Sequence, residues 1–192
     1  MLENKAKALD QFEASVTANQ GSVETVKAGG FFTVECFDKD GNLKWREENH
    51  NLVVNVGLQD MNAKYFAGSS YTAAWYIGLY GSGSTNNPAA SDTMSSHAGW
   101  TEVTAYSQST RPACTFGTPT TANPSVATNS ASAASFSING TTTVGGAFLT
   151  SNNTKGGTTG TLFSASDFTG GDRSVVSGDT LTVTYTFSLD AV

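Results

Sequence analysis

Histidine and cysteine are scarce in this chain, with two of each among 192 residues, and that scarcity removes most metal chemistry. A zinc-type site needs three or four nitrogen and sulfur ligands brought close together, so His50 or His97 would have to recruit carboxylates or a thiol from distant segments. Cys36 and Cys114 stand 78 residues apart and lack the close spacing of a zinc knuckle or a redox pair. Each is expected to be a buried free thiol that packs as a small apolar residue. Basic residues are few as well: ten Lys and Arg face 16 Asp and Glu, for a net charge of −6. Nucleic-acid binding needs clustered cations to meet phosphates, and the longest basic grouping, Lys44-Trp45-Arg46, is followed at once by Glu47 and Glu48. No nucleic-acid partner is therefore expected. No segment approaches the roughly 18 consecutive apolar residues of a membrane span, and the stretch from Met1 to Leu9 lacks the apolar core of a signal peptide. The expectation is synthesis in the cytoplasm with no membrane partner. In that compartment the sequons at Asn139-Gly140-Thr141 and Asn152-Asn153-Thr154 go unused.

The charges present are unevenly placed. Seventeen of the 26 Asp, Glu, Lys and Arg residues fall in the first 64 positions, and the 128 residues that follow are about one-third Ser or Thr. A charge-poor, hydroxyl-rich body has few groups suited to proton transfer or ionic ligand binding. A chain of this length buries about 70% of its unfolded surface in one core.

Residues 2–16 place Leu2, Ala6, Leu9, Phe12 and Val16 at helical spacings, with Glu3, Lys7, Asp10 and Glu13 elsewhere on the wheel. A short amphipathic helix is expected there, followed by a polar linker, so residues 1–29 read as an arm. Its apolar stripe must fold back onto the body or dock on another chain. From residue 30 the period changes to that of strands. Phe32, Val34 and Cys36 alternate with Thr33, Glu35 and Phe37, and Asp38-Lys39-Asp40-Gly41-Asn42 supplies turn chemistry before Leu43–Glu48, which makes a β-hairpin. Leu58, Met61 and Tyr65 predict a helix over 56–66 with Asn55 as its cap.

Strands are further expected over 73–80, where Trp75, Ile77 and Leu79 share a face, and over 100–106, 134–139, 142–150, 160–164 and 181–189. Residues 92–100 read as a helical turn or irregular chain, and 117–125, with Pro119 and Pro124, as a break. The fold class that follows is mainly β: an antiparallel β-sandwich, immunoglobulin-like or jelly-roll-like, over residues 30–192, with one short helix and an N-terminal helical arm.

Several segments invite a chemical reading. Asp38, Asp40 and Asn42 begin like a calcium loop, but its sixth position is Leu43 instead of Gly and its twelfth is Asn49 instead of a bidentate Glu. A plain hairpin turn is the better reading. Ser96 and His97 lie together, yet no Gly-x-Ser-x-Gly elbow accompanies them. Lys155-Gly156-Gly157-Thr158-Thr159-Gly160 is glycine-rich but lacks the order that aims backbone amides and a Lys at a phosphate, and is expected to be a mobile turn. Trp45, Tyr71 and Tyr106 could stack on sugars as in a glycan-binding module, or anchor a core or interface. No catalytic, cofactor-binding or metal-ligating residue is assigned, and the expectation is a protein that is not an enzyme and needs no cofactor.

The run from Gly30 to Trp45, then Asn51-Leu52-Val53-Val54-Asn55, Trp75-Tyr76-Ile77-Gly78-Leu79, Ser96-His97-Ala98-Gly99-Trp100-Thr101-Glu102, Gly146-Ala147-Phe148-Leu149 and Ser177-Gly178-Asp179-Thr180-Leu181 together resemble a group of tailed-bacteriophage virion structural proteins. The resemblance covers about residues 30–189. It implies a non-enzymatic virion component, foremost a capsid decoration or cement protein on the capsid exterior that bridges and stabilises major capsid subunits. Such proteins are compact β domains with clamping arms, and homotrimers are one form they take. A tail, neck or fibre protein, with or without a glycan-binding role, is the alternative.

Overall fold

The computed structural model describes residues 25–81 and 87–192. The expected arm helix at 2–16 lies outside the described residues. The body is built of antiparallel strands and one α-helix. In chain order these are β1 (Val26–Phe37), β2 (Leu43–His50), β3 (Leu52–Val53), α1 (Asn55–Tyr65), β4 (Tyr76–Gly81), β5 (Thr101–Glu102), β6 (Ser125–Thr128), β7 (Ala134–Ser137), β8 (Thr142–Val144), β9 (Gly146–Thr150), β10 (Leu162–Asp167), β11 (Arg173–Val175) and β12 (Thr180–Ala191).

Sheet A has the order β2-β1-β12, with β6 and β7 sharing the far side of β12. Sheet B has the order β3-β10-β9-β4-β5, and β8 and β11 form a separate pair. Alternation decides which side chains meet between the sheets. Phe32, Val34 and Cys36 of β1, Phe136 of β7, and Leu181, Val183 and Tyr185 of β12 are buried against Ile77 and Leu79 of β4, Leu149 of β9 and Phe163 of β10. Each such side chain contributes about 1.5–3 kcal/mol on leaving water. The Thr residues of β12 take the opposite face, as the period-two pattern requires. Sheet B is apolar on its outer face too, where Tyr80, Phe148, Leu162 and Ala165 form a second cluster with Val54, Met94 and Trp100.

A bulge in β10 aims neighbours at the same core. The register shifts between Leu162 and Ser164, so Phe163 enters the core while Ser164 Oγ donates to Tyr185 Oη at 3.1 Å. Asn51 Nδ2 donates to the same hydroxyl at 2.9 Å, which ties the chain crossing between the sheets to the centre of sheet A.

The hairpin forms where the sequence placed it, closed by Asp38, whose Oδ1 accepts from the amides of Asp40 and Asn42 at 2.9 Å. Its partners hold the Asp38 carboxyl below the usual range, the Asn42 side chain foremost. Other boundaries differ. Residues 26–29, assigned to the arm, are paired in β1 with Ser188–Ala191. The helix starts at Asn55, its N-cap is Val54, and no side chain caps it. The expected strand 142–150 is two strands broken at Gly145, because β8 turns to β11 while β9 stays in sheet B. Of the expected 100–106 run only Thr101–Glu102 is a strand, paired with β4, and the Val103 amide adds one bond to the Leu79 carbonyl at 2.8 Å. β6 and β11 arise where no strand was expected.

Candidate interaction surface

Of the two histidines, His97 is engaged within the fold and His50 is exposed. His97 stacks on Trp100 with ring centroids 3.7 Å apart, and its Nδ1 lies 3.1 Å from the Trp100 carbonyl. A carbonyl only accepts, so that nitrogen carries the proton. His50 is exposed and meets Phe31 edge-on at 6.3 Å. Cys36 and Cys114 are free and buried as expected. Burial, helped by nearby Asp179, pushes the Cys36 thiol up to about 11, and burial alone pushes Cys114 to about 12. Burial thus favours the protonated thiol over the more nucleophilic thiolate at both positions. Among the described residues no group of three or more His, Cys, Asp or Glu comes together to hold a metal, and no helix is long and apolar enough to cross a membrane.

The glycine-rich loop is pinned, contrary to the expected mobile turn. Lys155 Nζ donates to the carbonyls of Tyr106 and Gln108 at 2.9 and 2.7 Å and sits 4.3 Å from the centre of the Tyr106 ring. Beside it Arg111, only 1% exposed, forks onto Glu102 through Nε and Nη2 at 2.9 and 2.7 Å. It also donates to the carbonyls of Asn152 and Gly157, while Glu102 accepts from the Gly156 amide. This network welds the 151–161 loop to β5 and to the chain before Cys114. Sequence reading missed it, because one Arg and one Glu nine residues apart in irregular chain carry no periodic signal.

The three aromatics considered for sugar stacking do not form a platform. Tyr106 is fully buried against Phe136, and Trp45 packs half-buried on Phe168. Of the three, Tyr71 alone is largely exposed.

The largest exposed aromatics collect instead at the C-terminal end of α1. Gly57 sets the helix's seat: a Cβ there would lie 2.4 Å from the Phe163 carbonyl, so glycine lets the helix backbone lie directly on β10. That seat turns Met61 toward the core and leaves Leu58 and Tyr65 outward, so only part of the periodic apolar set is buried. The helix ends with the amides of Phe66 and Ala67 donating to the Asn62 carbonyl, and Gly68 at φ +69° reverses the chain.

Tyr65 and Phe66 project at this corner, 84% and 79% exposed, with rings 4.8 Å apart and at 82° to each other. Tyr71, 51% exposed, stands near Lys64 of the same helix end. It is fixed there because Trp75 Nε1 donates to its hydroxyl at 2.8 Å, and Lys64 Nζ lies 5.8 Å from its ring centre while donating to the Ser70 carbonyl. Trp75 is anchored in turn on Phe163 at 5.2 Å. Alongside lies a recess of about 290 Å³ lined by Ala74, Trp75, Ala113, Cys114 and Phe116. A second groove, about 430 Å³, offers the hydroxyls of Thr101, Thr104, Thr142 and Thr143. The arrangement at α1 suits contact with another surface: two large exposed rings stand at the end of a helix seated on β10. No protein-family model matches this chain, and neither a curated protein nor a solved structure matches it.

Proposed function

We propose that this protein is a non-enzymatic structural component of a tailed-bacteriophage virion, a capsid decoration protein that binds the major capsid protein through the aromatic patch at the end of α1. The observation that carries the reading is the exposure of Tyr65 and Phe66 on a corner fixed by Gly57, Gly68 and the Trp75–Tyr71 hydrogen bond. Aromatic anchors on a rigid support lose little entropy on binding and commonly dominate interface energetics. The segments that resemble virion structural proteins, Gly30–Trp45 and Trp75–Leu79 among them, support the same reading. As an oligomer, with one patch per copy, the protein would bridge and stabilise several coat subunits on the capsid exterior.

The test is binding to empty capsids of the corresponding phage. Tyr65→Ser/Phe66→Ser should bind at least tenfold more weakly, since burying two aromatic side chains contributes about 1.5–3 kcal/mol each. The circular dichroism should not change, because neither ring packs in the core. Undiminished binding overturns the reading. The runner-up, a tail, neck or fibre position, would use the same patch against a different partner, and gold labelling of virions separates the two.

A further inference from the structure

Sheet A ends on β2, whose far side pairs with no strand among the described residues. The Asn51 amide donates to the Gly30 carbonyl at 3.0 Å, and backbone groups alternate sides along a strand. Trp45, Glu47 and Asn49 therefore bond β1, while Arg46 and Glu48 aim two amides and two carbonyls away from it. Among the described residues no backbone partner meets these four groups. The open stretch is bounded at both ends. The His50 carbonyl accepts from Ser166 Oγ at 2.9 Å, and a bulge opposite Cys36 and Phe37 displaces Lys44.

Charges on an edge strand usually keep other strands away, but here their signs are ordered. Arg46 and Glu48 stand on the solvent face, each side chain 49% exposed, with Arg46 Nη2 2.7 Å from Glu48 Oε2. A second copy laid antiparallel about a two-fold axis through Glu47 sets Arg46 against the partner's Glu48, and Glu48 against the partner's Arg46. Each outward amide then meets a carbonyl, and opposite charges face each other across the strands. Sliding the register two residues either way brings Arg46 against Arg46 or Glu48 against Glu48, and a one-residue slide turns one copy's buried face to solvent. Glu47 meets its own counterpart across the axis, but it faces inward, 6% exposed, and is already paired with Arg173, whose Nε donates to Oε1 at 2.7 Å. We infer that two copies of this chain pair through the β2 edge in this register, joining their A sheets into one. The contact is small, which makes the dimer reversible. It uses none of the residues at the aromatic corner of α1, and it holds whatever the protein's role in a virion.

Charge reversal in the full chain tests it, since neither side chain is buried. Arg46→Glu or Glu48→Arg places like charges opposite each other on both sides of the axis. Either should weaken self-association, read by sedimentation velocity, by roughly tenfold or more. An equimolar mixture of the two variants restores the opposite-charge pairs, and in native mass spectrometry it should form a mixed dimer about as readily as the unaltered chain forms its own. Hydrogen exchange on the unaltered chain gives an independent reading: the amides of Arg46 and Glu48 should slow several-fold between dilute and concentrated protein. A chain that is monomeric at every accessible concentration overturns the inference, as does a dimer indifferent to both reversals. Protection of these amides that arises only on empty capsids would give the edge to the coat protein, and overturns it too.

Discussion

The side chain of Asn129 stands where a strand's peptide group would stand opposite Tyr185. Its Oδ1 accepts from the Tyr185 amide at 2.7 Å, its Nδ2 donates to the Val183 carbonyl at 3.3 Å, and its own amide donates to the Tyr185 carbonyl at 3.3 Å. β6 ends at Thr128 and β7 begins at Ala134, so the ladder along β12 has a gap that this buried amide fills. Asn129→Ala leaves the Tyr185 amide and the Val183 carbonyl unpaired, at about 1–3 kcal/mol for each buried group. Urea unfolding should report a loss of about 2–4 kcal/mol. Asn129→Asp should not rescue it, because a carboxylate cannot donate to Val183. A loss under about 0.5 kcal/mol, on the scale of an ordinary surface substitution, would contradict this assignment.

Two glycines in sheet B are required by the aromatics across from them. Gly78 faces Phe148, and Gly146 faces Tyr80. A Cβ on Gly78 would lie 2.1 Å from Phe148 Cζ, and one on Gly146 would lie 2.2 Å from Tyr80 Cζ. Each ring lies over the bare backbone of its partner. Gly78→Ala should cost at least about 1–3 kcal/mol through overpacking. In a Phe148→Leu background the same substitution should cost clearly less. Equal penalties in the two backgrounds, measured by thermal or urea unfolding, would show that the ring does not set the requirement.

The Arg111–Glu102 pair predicts an asymmetric mutant series. Removing one partner strands a buried charge, which typically costs about 3–5 kcal/mol. Glu102→Ala and Arg111→Ala should each destabilise in that range and speed hydrogen exchange across 151–161, whose carbonyls and amides the pair holds. The double variant should cost less than the sum of the two. Additive losses in a double-mutant cycle would mean that the two side chains do not act as a unit.

Stability should fall on the alkaline side. The Cys36 and Cys114 thiols titrate at about 11 and about 12 in the folded chain against a reference of 9.0. Burial also raises the phenols of Tyr80, Tyr106 and Tyr185. From pH 9 upward the unfolded chain sheds protons that the native chain keeps, so the unfolding free energy decreases as pH rises toward 12. Below pH 9 these groups are protonated in both states and contribute no slope. Urea midpoints measured from pH 7 to 10.5 at constant ionic strength should be flat in this respect to pH 9 and then decline, less steeply in Cys114→Ala. A decline unaffected by that substitution would remove Cys114 from the account.

The strands that were legible in the sequence are those whose two faces differ. β12 and the β1–β2 hairpin alternate cleanly because one side meets the core and the other does not, and Asp38 through Asn42 carry the turn chemistry openly. β6 and β11 were not legible because they are short and take their pairing from strands far along the chain. The helix was found by its period, but the period did not say how it is seated: Gly57, which has no side chain to register in a pattern, sets the contact with Phe163, and of the periodic residues Met61 packs on the core while Leu58 and Tyr65 are exposed. The candidate interaction surface was not legible either. Tyr65 entered the reading only as part of the helical period, and Phe66 lies just past the helix end. Tyr106, left open between sugar stacking and a core anchor, is buried, with Lys155 and Phe136 packed on its ring.

The central claim is that the aromatic corner of α1 seats this protein on a phage coat, and a cryo-EM map of the virion tests it most directly. The account predicts sandwich-shaped density on the capsid exterior with Tyr65, Phe66 and Tyr71 against the major capsid protein. Density at the neck, tail or fibre, or on the capsid with Tyr65 and Phe66 facing solvent, would contradict it.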